Sequence, residues 1–196
     1  METKSTREHL IDVGVRLMHG HGYGATGIKE ILESAQVPKG SFYHYFGSKE
    51  EFTDAVLERY AAREMQRWES ILNNAKLPPL KRLRRYFDEL VKVYGQKGPI
   101  PGCLMGSLSL EIAGQSNIIQ KRLSASFGYW QHAIAIILES ALEQKQLPAG
   151  TEPEALASFL LNSWQGAVVR SMAEKSNEPL RCFLHYAFDI LLPANS

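Results

Sequence analysis

Hydrophobic residues recur at helical spacing along almost the whole chain, and no stretch alternates for long enough to predict a strand. The first predicted helix runs from about Ser5 to Gly20. Ser5 and Glu8 have the spacing of a capping box, which satisfies backbone donors at the start of a helix. Two further pairs have related spacing at predicted helix starts, namely Ser48 with Glu51 and Thr151 with Glu154. The pattern predicts an all-α fold of about nine helices.

Glycine and proline mark where these helices end. Three glycines between residues 20 and 24 close the first helix, and Pro78-Pro79 interrupts the pattern after the fourth. A break rich in glycine and proline follows at residues 95–102, and a long helix is predicted from about Ser116. Four helices therefore fit into the first 75 or so residues, and longer helices make up most of the rest.

Two short helices separated by a four-residue turn at residues 34–37 have the proportions of a helix-turn-helix over residues 26–46. In the second of these helices, which starts at Pro38, the helical period turns three aromatic residues inward. These are Phe42, Tyr45 and Phe46. The same period leaves Gly40, Tyr43 and His44 facing outward, with Lys39 and Ser41 at the edges.

The outward residues suit contact with DNA. Lys39 can reach a phosphate or a guanine edge, and Gly40 lets the backbone approach the groove. Hydroxyl and imidazole groups can donate hydrogen bonds to phosphate oxygens. Residues at helix starts gain from the helix dipole, which favours an anion there. The candidate DNA-binding residues are Thr26, Lys39, Gly40, Ser41, Tyr43, His44 and Lys49. Since one short helix reads few bases, we expect two copies on a two-fold-symmetric operator.

The segment from Gly22 to Glu50 resembles the N-terminal signature of the TetR family of transcriptional regulators. The matching residues are Gly22-Tyr23, Thr26, Ile28, Ile31, Ala35, Val37, Lys39-Gly40-Ser41, Tyr43, Tyr45-Phe46 and Ser48-Lys49-Glu50. Gln36 departs from the pattern, because that turn usually has glycine. The resemblance implies a helix-turn-helix DNA-binding domain at residues 1–47 and a helical ligand-binding and dimerisation domain at 48–196. It further implies a homodimeric repressor that pairs through its last two helices and leaves double-stranded operator DNA when a small-molecule inducer binds.

Cys103 follows a Pro/Gly-rich loop, Pro99-Ile100-Pro101-Gly102, at the start of a predicted helix. A helix start favours the thiolate and so makes a cysteine more reactive. The segment also resembles a Gly-Cys-Leu element in the TetR subgroup that includes the repressor of N-ethylmaleimide reductase. Sensing of electrophiles or oxidants by this thiol is one hypothesis; a buried, inert cysteine is the alternative. Cys182 lies on the apolar last helix and is expected in the core.

Four aromatic residues and one arginine are candidates for an inducer site: Phe87, Tyr94, Trp130, Trp164 and Arg170. An aromatic stripe at helical spacing is also typical of ordinary core, and an arginine is commonly exposed or ion-paired. A small residue beside an aromatic permits close helix packing, so Trp164, Gly166, Ala167, Phe183, Tyr186 and Ile190 are candidates for the subunit interface.

Composition narrows the function classes. Hydrophobic residues make up 44% of the chain, charged residues 22%, and the net charge is +1, which indicates a globular protein. The longest apolar run, Ala133–Leu138, is far shorter than the roughly 20 residues of a membrane span, and the N-terminus lacks a signal-peptide core. We therefore expect a cytoplasmic protein.

The sequence contains no recognisable metal-ligand pair and no phosphate-binding loop, so we expect no metal, no cofactor and no enzymatic activity. Two alternatives to a DNA-binding regulator remain open at this point. One is a thiol-dependent enzyme that uses Cys103 with a histidine such as His132. The other is an interaction module whose helix-turn-helix does not bind DNA.

Overall fold

The computed structural model describes residues 5–74, 76–94 and 102–192, and it confirms the all-α prediction. Within that part of the chain there are nine α-helices and no strand. A 3-10 turn at Lys39–Ser41 precedes the third helix, and a π-helical segment at Tyr186–Leu191 continues the ninth. The helices are α1 (Thr6–Ala25), α2 (Ile28–Ala35), α3 (Phe42–Tyr45), α4 (Lys49–Leu72), α5 (Pro79–Tyr94), α6 (Leu104–Glu111), α7 (Asn117–Glu143), α8 (Pro153–Glu174) and α9 (Glu178–His185). Pro99, Ile100 and Pro101 of the predicted loop lie outside the described residues.

The chain forms two compact units. Unit 1 combines residues 1–64 with 103–126, and unit 2 combines residues 65–102 with 127–196. The long helices α4 and α7 each contribute their first part to unit 1 and their second part to unit 2. The domain boundary predicted after residue 47 marks the end of the helix-turn-helix rather than the end of a compact unit, and it stays a prediction.

Helix α1 begins as predicted and ends later. The Ser5 hydroxyl accepts a hydrogen bond from the Glu8 N–H, and the Glu8 carboxylate accepts one from the Ser5 N–H, both at 3.3 Å. This capping box is confirmed. The helix continues beyond Gly20 to Ala25, with non-helical backbone at Gly22, where φ is +84°. Glycine tolerates such a φ without steric cost, so Gly22 rather than Gly20 is the bend.

The other two predicted caps differ. At α4 the Ser48 hydroxyl accepts from the Glu51 N–H at 3.1 Å, but the Glu51 carboxylate turns back to the Gly47 N–H instead of to Ser48. At α8 no side chain caps the helix, and the Thr151 hydroxyl donates to the Pro148 carbonyl at 2.8 Å. The predicted Thr151 cap is wrong because the helix starts later, at Pro153, whose fixed φ suits a first helical turn.

Ion pairs tie the helices of unit 1 together. Asp12 on α1 accepts hydrogen bonds from Arg59 at 3.0 Å and Arg63 at 2.6 Å, both on α4. Arg122 on α7 makes a two-pronged contact with Asp54 on α4, at 2.7 and 2.9 Å. Charge-assisted pairs of this geometry are the stronger kind of hydrogen bond. These pairs fix α4 against α1 and α7. The helix-turn-helix leads directly into the start of α4.

Candidate nucleic-acid interface and sensor residues

The recognition segment, residues 38–46, is held by buried aromatic rings. Phe42 and Phe46 are both buried and lie with ring centroids 5.3 and 4.9 Å from Phe52 on α4. Tilted and edge-on ring contacts of this kind add to the stabilisation from burial. The segment consists of a 3-10 turn and one turn of α-helix, with Pro38 preceding it, instead of the continuous helix from Pro38 that the sequence predicts.

The residues predicted to face outward do so. Lys39, Gly40, Tyr43 and His44 are exposed, and Ser41 is half-buried. Tyr43 leaves 66% of its surface accessible although its ring edge contacts Phe42. No carboxylate pairs with Lys39 within the residues that the structure describes. The segment therefore exposes the Lys39 ammonium group and several hydrogen-bonding groups, while its buried aromatic rings pack against α4.

Thr26 is not on this surface. Its side chain is fully buried, and its hydroxyl donates a hydrogen bond of 2.7 Å to the Gly22 carbonyl. Helix α2 begins two residues later, and Gly27 is its N-terminal cap. The Thr26 hydroxyl is thus already hydrogen-bonded within unit 1. Only the backbone at this position is left for a contact with DNA, and that contact stays a prediction.

Lys49 also turns toward the protein. Its ammonium group donates to the Tyr23 carbonyl and lies 4.1 Å from the centroid of the Tyr23 ring. Partial burial lowers the pKa of Lys49, and the nearby Glu111 carboxylate opposes that shift. Burial, with the charges of Glu50 and Glu111, raises the pKa of the Tyr23 hydroxyl. Lys49 thus holds residues 22–25, the last turn of α1 from its bend at Gly22 onward, which we call the α1–α2 turn. The contact of Lys49 with DNA stays a prediction.

Sequence reasoning missed Arg7, whose guanidinium lies 5.3 Å from the centre of the Phe46 ring. The His9 ring, two residues further along α1, contacts the Ala35 carbonyl at 3.1 Å. The start of α1 therefore lies beside both the end of α2 and the end of the recognition segment. The sequence did contain a signal for Arg7. A cation in the first turn of a helix is disfavoured by the helix dipole, so an arginine at that position suggests a role other than stabilising the helix.

The two cysteines differ in burial, and the sequence did not predict this difference. Cys103 is buried at the N-terminal cap position of α6, and Cys182 is exposed on α9. Neither forms a disulfide. The expectation that Cys182 lies in the core is wrong, because none of the described residues covers its face of α9. The position of Cys103 at a helix start is as predicted, and its sensing role stays a prediction.

Three of the predicted inducer-site residues lie together in unit 2. The rings of Phe87 on α5 and Trp164 on α8 are 5.2 Å apart, and Tyr94 lies 5.8 Å from Trp164. Trp130 is half-buried on α7. Arg170 is exposed and pairs with Glu174 one turn along α8, at 2.7 Å. Arg170 thus lies outside the aromatic cluster, and its predicted role toward an anionic ligand has no support from its position.

Two polar atoms buried in unit 2 have no hydrogen-bond partner among the described residues. They are the indole nitrogen of Trp164 and the hydroxyl of Ser171, seven residues apart on the same side of α8. A buried polar group without a partner costs free energy, so each such atom in a protein calls for an explanation. Sequence reasoning found Trp164 but not Ser171, since a lone serine in a helix carries no distinguishing pattern.

Comparison with known proteins gives two family matches along the chain, one near the N-terminus and one in the C-terminal part. Residues 10–56 match the family described as "Bacterial regulatory proteins, tetR family", and residues 79–187 match "Tetracyclin repressor-like, C-terminal domain". The second match alone covers more than half of the chain. The chain belongs to the TetR family of transcriptional regulators.

Two repressors are similar in sequence to this chain over nearly the whole length of both proteins. The HTH-type transcriptional repressor DhaR of Mycobacterium sp. strain GP1 is 33% identical, covering 99% of this chain and 96% of its own. The repressor NemR of Escherichia coli K12 is 34% identical, covering 95% and 94%. The solved structure of E. coli NemR in its reduced form superposes with a TM-score of 0.90 at 33% identity, covering 97% of this chain and 98% of NemR.

This TetR-family chain is therefore a DNA-binding transcriptional regulator and not the thiol-dependent enzyme weighed as an alternative. His132 pairs with Glu154 at 3.1 Å on the surface of unit 2. Among the described residues, no group of three or more histidine, cysteine or acidic side chains could hold a metal ion. No helix in the same part of the chain is both long and apolar enough to span a membrane.

Proposed function

We propose that the protein represses transcription by placing the recognition segments of two subunits on a two-fold-symmetric operator. The observation that carries this proposal is Lys39, which has no carboxylate partner among the described residues, beside an exposed Tyr43 on a segment anchored by buried rings. Lys39, Gly40, Ser41, Tyr43 and His44 form the contact surface, and Arg7 adds a phosphate contact from α1. Because the DNA that a bacterial regulator binds lies in the cytoplasm, we infer that the protein is cytoplasmic.

We infer that the dimer forms through α8 and α9. A groove of about 620 Å³ runs between these helices, and its lining is mostly apolar. Phe159, Tyr186 and Ile190 line this groove, and each leaves more than half of its surface exposed. Gly166 and Ala167 provide the flat positions that allow a second helix to come close. Of the other residues considered for the interface, Trp164 is buried within the subunit, whereas Phe183 is mostly buried but also lines the groove.

We assign sensing to Cys103 and the interior of unit 2. An electrophile or oxidant that reaches Cys103 would modify a thiol that the protein buries at the start of α6. A relative known in a reduced form is consistent with a redox-dependent state in this chain as well. The inducer site includes the Trp164 indole and the Ser171 hydroxyl, which have no hydrogen-bond partner in the part of the chain that the structure describes. They suit a small molecule that accepts a hydrogen bond from the indole, bonds with the hydroxyl and lies between aromatic rings.

The DNA-binding proposal is tested by selecting operator sequences from random duplexes with the purified protein, then measuring affinity by fluorescence anisotropy across salt concentrations. We expect Lys39→Ala to weaken binding about tenfold and to reduce the salt slope by about one. Tyr43→Ala should weaken all sequences alike, because hydroxyl contacts with phosphate carry no sequence information.

Lys121→Ala is the matched control, since Lys121 is also an exposed lysine of unit 1 but lies on α7, outside the helix-turn-helix. Its affinity and salt slope should equal those of the unmodified protein. If no duplex binds in a salt-sensitive manner, the proposed function is wrong. If Lys39→Ala and Tyr43→Ala both bind normally, the assigned recognition surface is wrong.

The sensor proposal is tested with N-ethylmaleimide on the operator complex. We expect the unmodified protein to lose operator affinity at least tenfold, and the Cys103→Ser variant to keep it, because a serine hydroxyl does not add to a maleimide. Cys182→Ser removes the thiol on α9, which lines the groove assigned to the dimer, and should leave the response unchanged. A Cys103→Ser protein that still releases DNA would exclude this thiol as the trigger.

A further inference from the structure

The carboxylate of Glu111, the last residue of α6, binds the backbone of the α1–α2 turn, the part of α1 from the bend at Gly22 onward. One oxygen accepts a hydrogen bond of 2.7 Å from the Tyr23 N–H, and the other accepts one from the Gly24 N–H. Backbone N–H groups that converge in this way form an anion-binding nest. Here the anion is a side chain of the same protein, 88 residues further along the chain.

Two glycines leave room for that carboxylate. A Cβ atom at Gly22 would lie 2.7 Å from one Glu111 oxygen, and one at Gly24 would lie 2.9 Å from the other. Gly22 also has a φ of +84°, a backbone conformation that residues with a side chain rarely adopt, whereas the φ of Gly24 is not positive. Only Gly22 is therefore needed for the backbone conformation, and the glycine at position 24 serves the close approach of Glu111.

The turn that Glu111 holds is connected to both ends of the helix-turn-helix. Thr26, which leads into α2, donates its hydroxyl proton to the Gly22 carbonyl at 2.7 Å. Lys49, which starts α4, donates to the Tyr23 carbonyl and lies on the Tyr23 ring. A displacement of this turn would thus move the start of α2 and the start of α4 together.

We propose that Glu111 is a positioning residue for operator binding, which fixes the α1–α2 turn so that the helix-turn-helix is held ready for DNA. Helix α6 begins directly after Cys103 and ends at Glu111, a distance of about 12 Å at the rise of an α-helix. Modification of the Cys103 thiol shifts α6, withdraws the carboxylate from the nest and lowers the affinity for DNA. This inference rests on the proposed function.

The experiment is a double-mutant cycle on operator affinity, using Glu111→Ala, Gly24→Ala and the double variant. Each single change should weaken binding about tenfold, within the range typical of coupling between sites. The alanine at position 24 acts by displacing the carboxylate, so it should have no further effect once Glu111 is gone. Glu139→Ala, which removes an exposed glutamate on α7, should bind like the unmodified protein.

Thermal unfolding of each variant separates positioning from a loss of folded protein, because a purely structural role would change affinity only in step with stability. N-ethylmaleimide treatment gives the second readout. We expect the Glu111→Ala protein to bind equally before and after treatment, while the unmodified protein loses affinity.

Three results would overturn the inference. One is normal affinity of the Glu111→Ala protein. Another is a loss of affinity of about a hundredfold in the double variant, which would mean that the two single changes act independently. The third is a full N-ethylmaleimide response without Glu111, which would break the link to Cys103. Failure of the unmodified protein to bind any duplex is a separate outcome, since it rejects the proposed function itself.

Discussion

Arg7 shows how a single residue can be explained only by its neighbours. It lies in the first turn of α1, where the helix dipole disfavours a cation by a few tenths of a kcal/mol. The Phe46 ring compensates, since a guanidinium above an aromatic face is attracted by about 0.5–1 kcal/mol at an exposed site. No carboxylate among the described residues neutralises it. Its charge is therefore available to a phosphate.

We predict that Arg7→Gln weakens operator binding three- to tenfold and lowers the salt slope by about one, as expected for the loss of one phosphate contact. Arg16→Gln is the matched control, because Arg16 is an exposed arginine of the same helix, nine residues further and hence on the opposite face. Anisotropy titrations at several salt concentrations measure both. Equal behaviour of the two variants would remove Arg7 from the interface.

Gln36 occupies the turn position where the family usually has glycine, and the structure shows how it fits. It adopts the left-handed conformation with φ of +56°, and its N–H bonds to carbonyls of the last turn of α2. A side chain in this conformation costs roughly 1 kcal/mol relative to glycine. Glutamine therefore adopts the left-handed conformation that this turn requires, at a cost in stability.

At the scale of elements, the packing of α1 on α4 depends on one glycine. A Cβ atom at Gly14 would lie 2.5 Å from the Phe52 ring and 2.7 Å from the Val56 side chain. Contacts that short do not occur, so either the rings or the helices would have to shift. At Gly20, on the same helix, a Cβ atom would meet nothing within 4 Å.

We predict that Gly14→Ala destabilises the protein by about 1–3 kcal/mol through overpacking. Gly20→Ala should leave stability unchanged or raise it by up to about 1 kcal/mol, because alanine favours a helix interior. Urea unfolding at a fixed protein concentration measures both differences. Stability of the Gly14→Ala protein equal to that of the Gly20→Ala protein would mean that α1 and α4 are not packed as described.

At the scale of the whole molecule, the groove between α8 and α9 predicts a dimer. Phe159 and Ile190 leave 56% and 59% of their surfaces exposed, which is unusual for large apolar residues that share one groove. We predict that the protein sediments as a dimer and that Phe159→Asp sediments as a monomer, because a buried carboxylate at the interface would lack a partner. The melting temperature of the unmodified protein should rise with its concentration.

Ile118→Asp is the control for this prediction. Ile118 is an exposed isoleucine, at 49% of its surface, but it lies in unit 1 rather than in the groove. That variant should remain a dimer and should bind the operator. A dimer that survives Phe159→Asp, or one that Ile118→Asp disrupts, would place the interface elsewhere.

Several features were predictable because they depend on residues close together in the chain. The capping box at Ser5, the inward turn of Phe42 and Phe46 and the outward turn of Tyr43 all follow from helical periodicity. The cap predicted at Thr151 was wrong because two helix starts were possible there, and the position of Pro153 decided between them. Boundaries of this kind depend on small differences in local free energy.

The sequence by itself determined the all-α fold, the helix-turn-helix and the residues that face away from its core, since periodicity and capping act over a few residues. Only the tertiary structure decided what the side chains contact across longer separations. It buried Thr26, turned Lys49 onto Tyr23, exposed Cys182 and brought Glu111 to the Gly22–Gly24 turn. The contacts of Lys49 and Glu111 join residues 26 to 88 positions apart, and the burial of Thr26 and exposure of Cys182 depend on what packs against them, so no local pattern specifies these features.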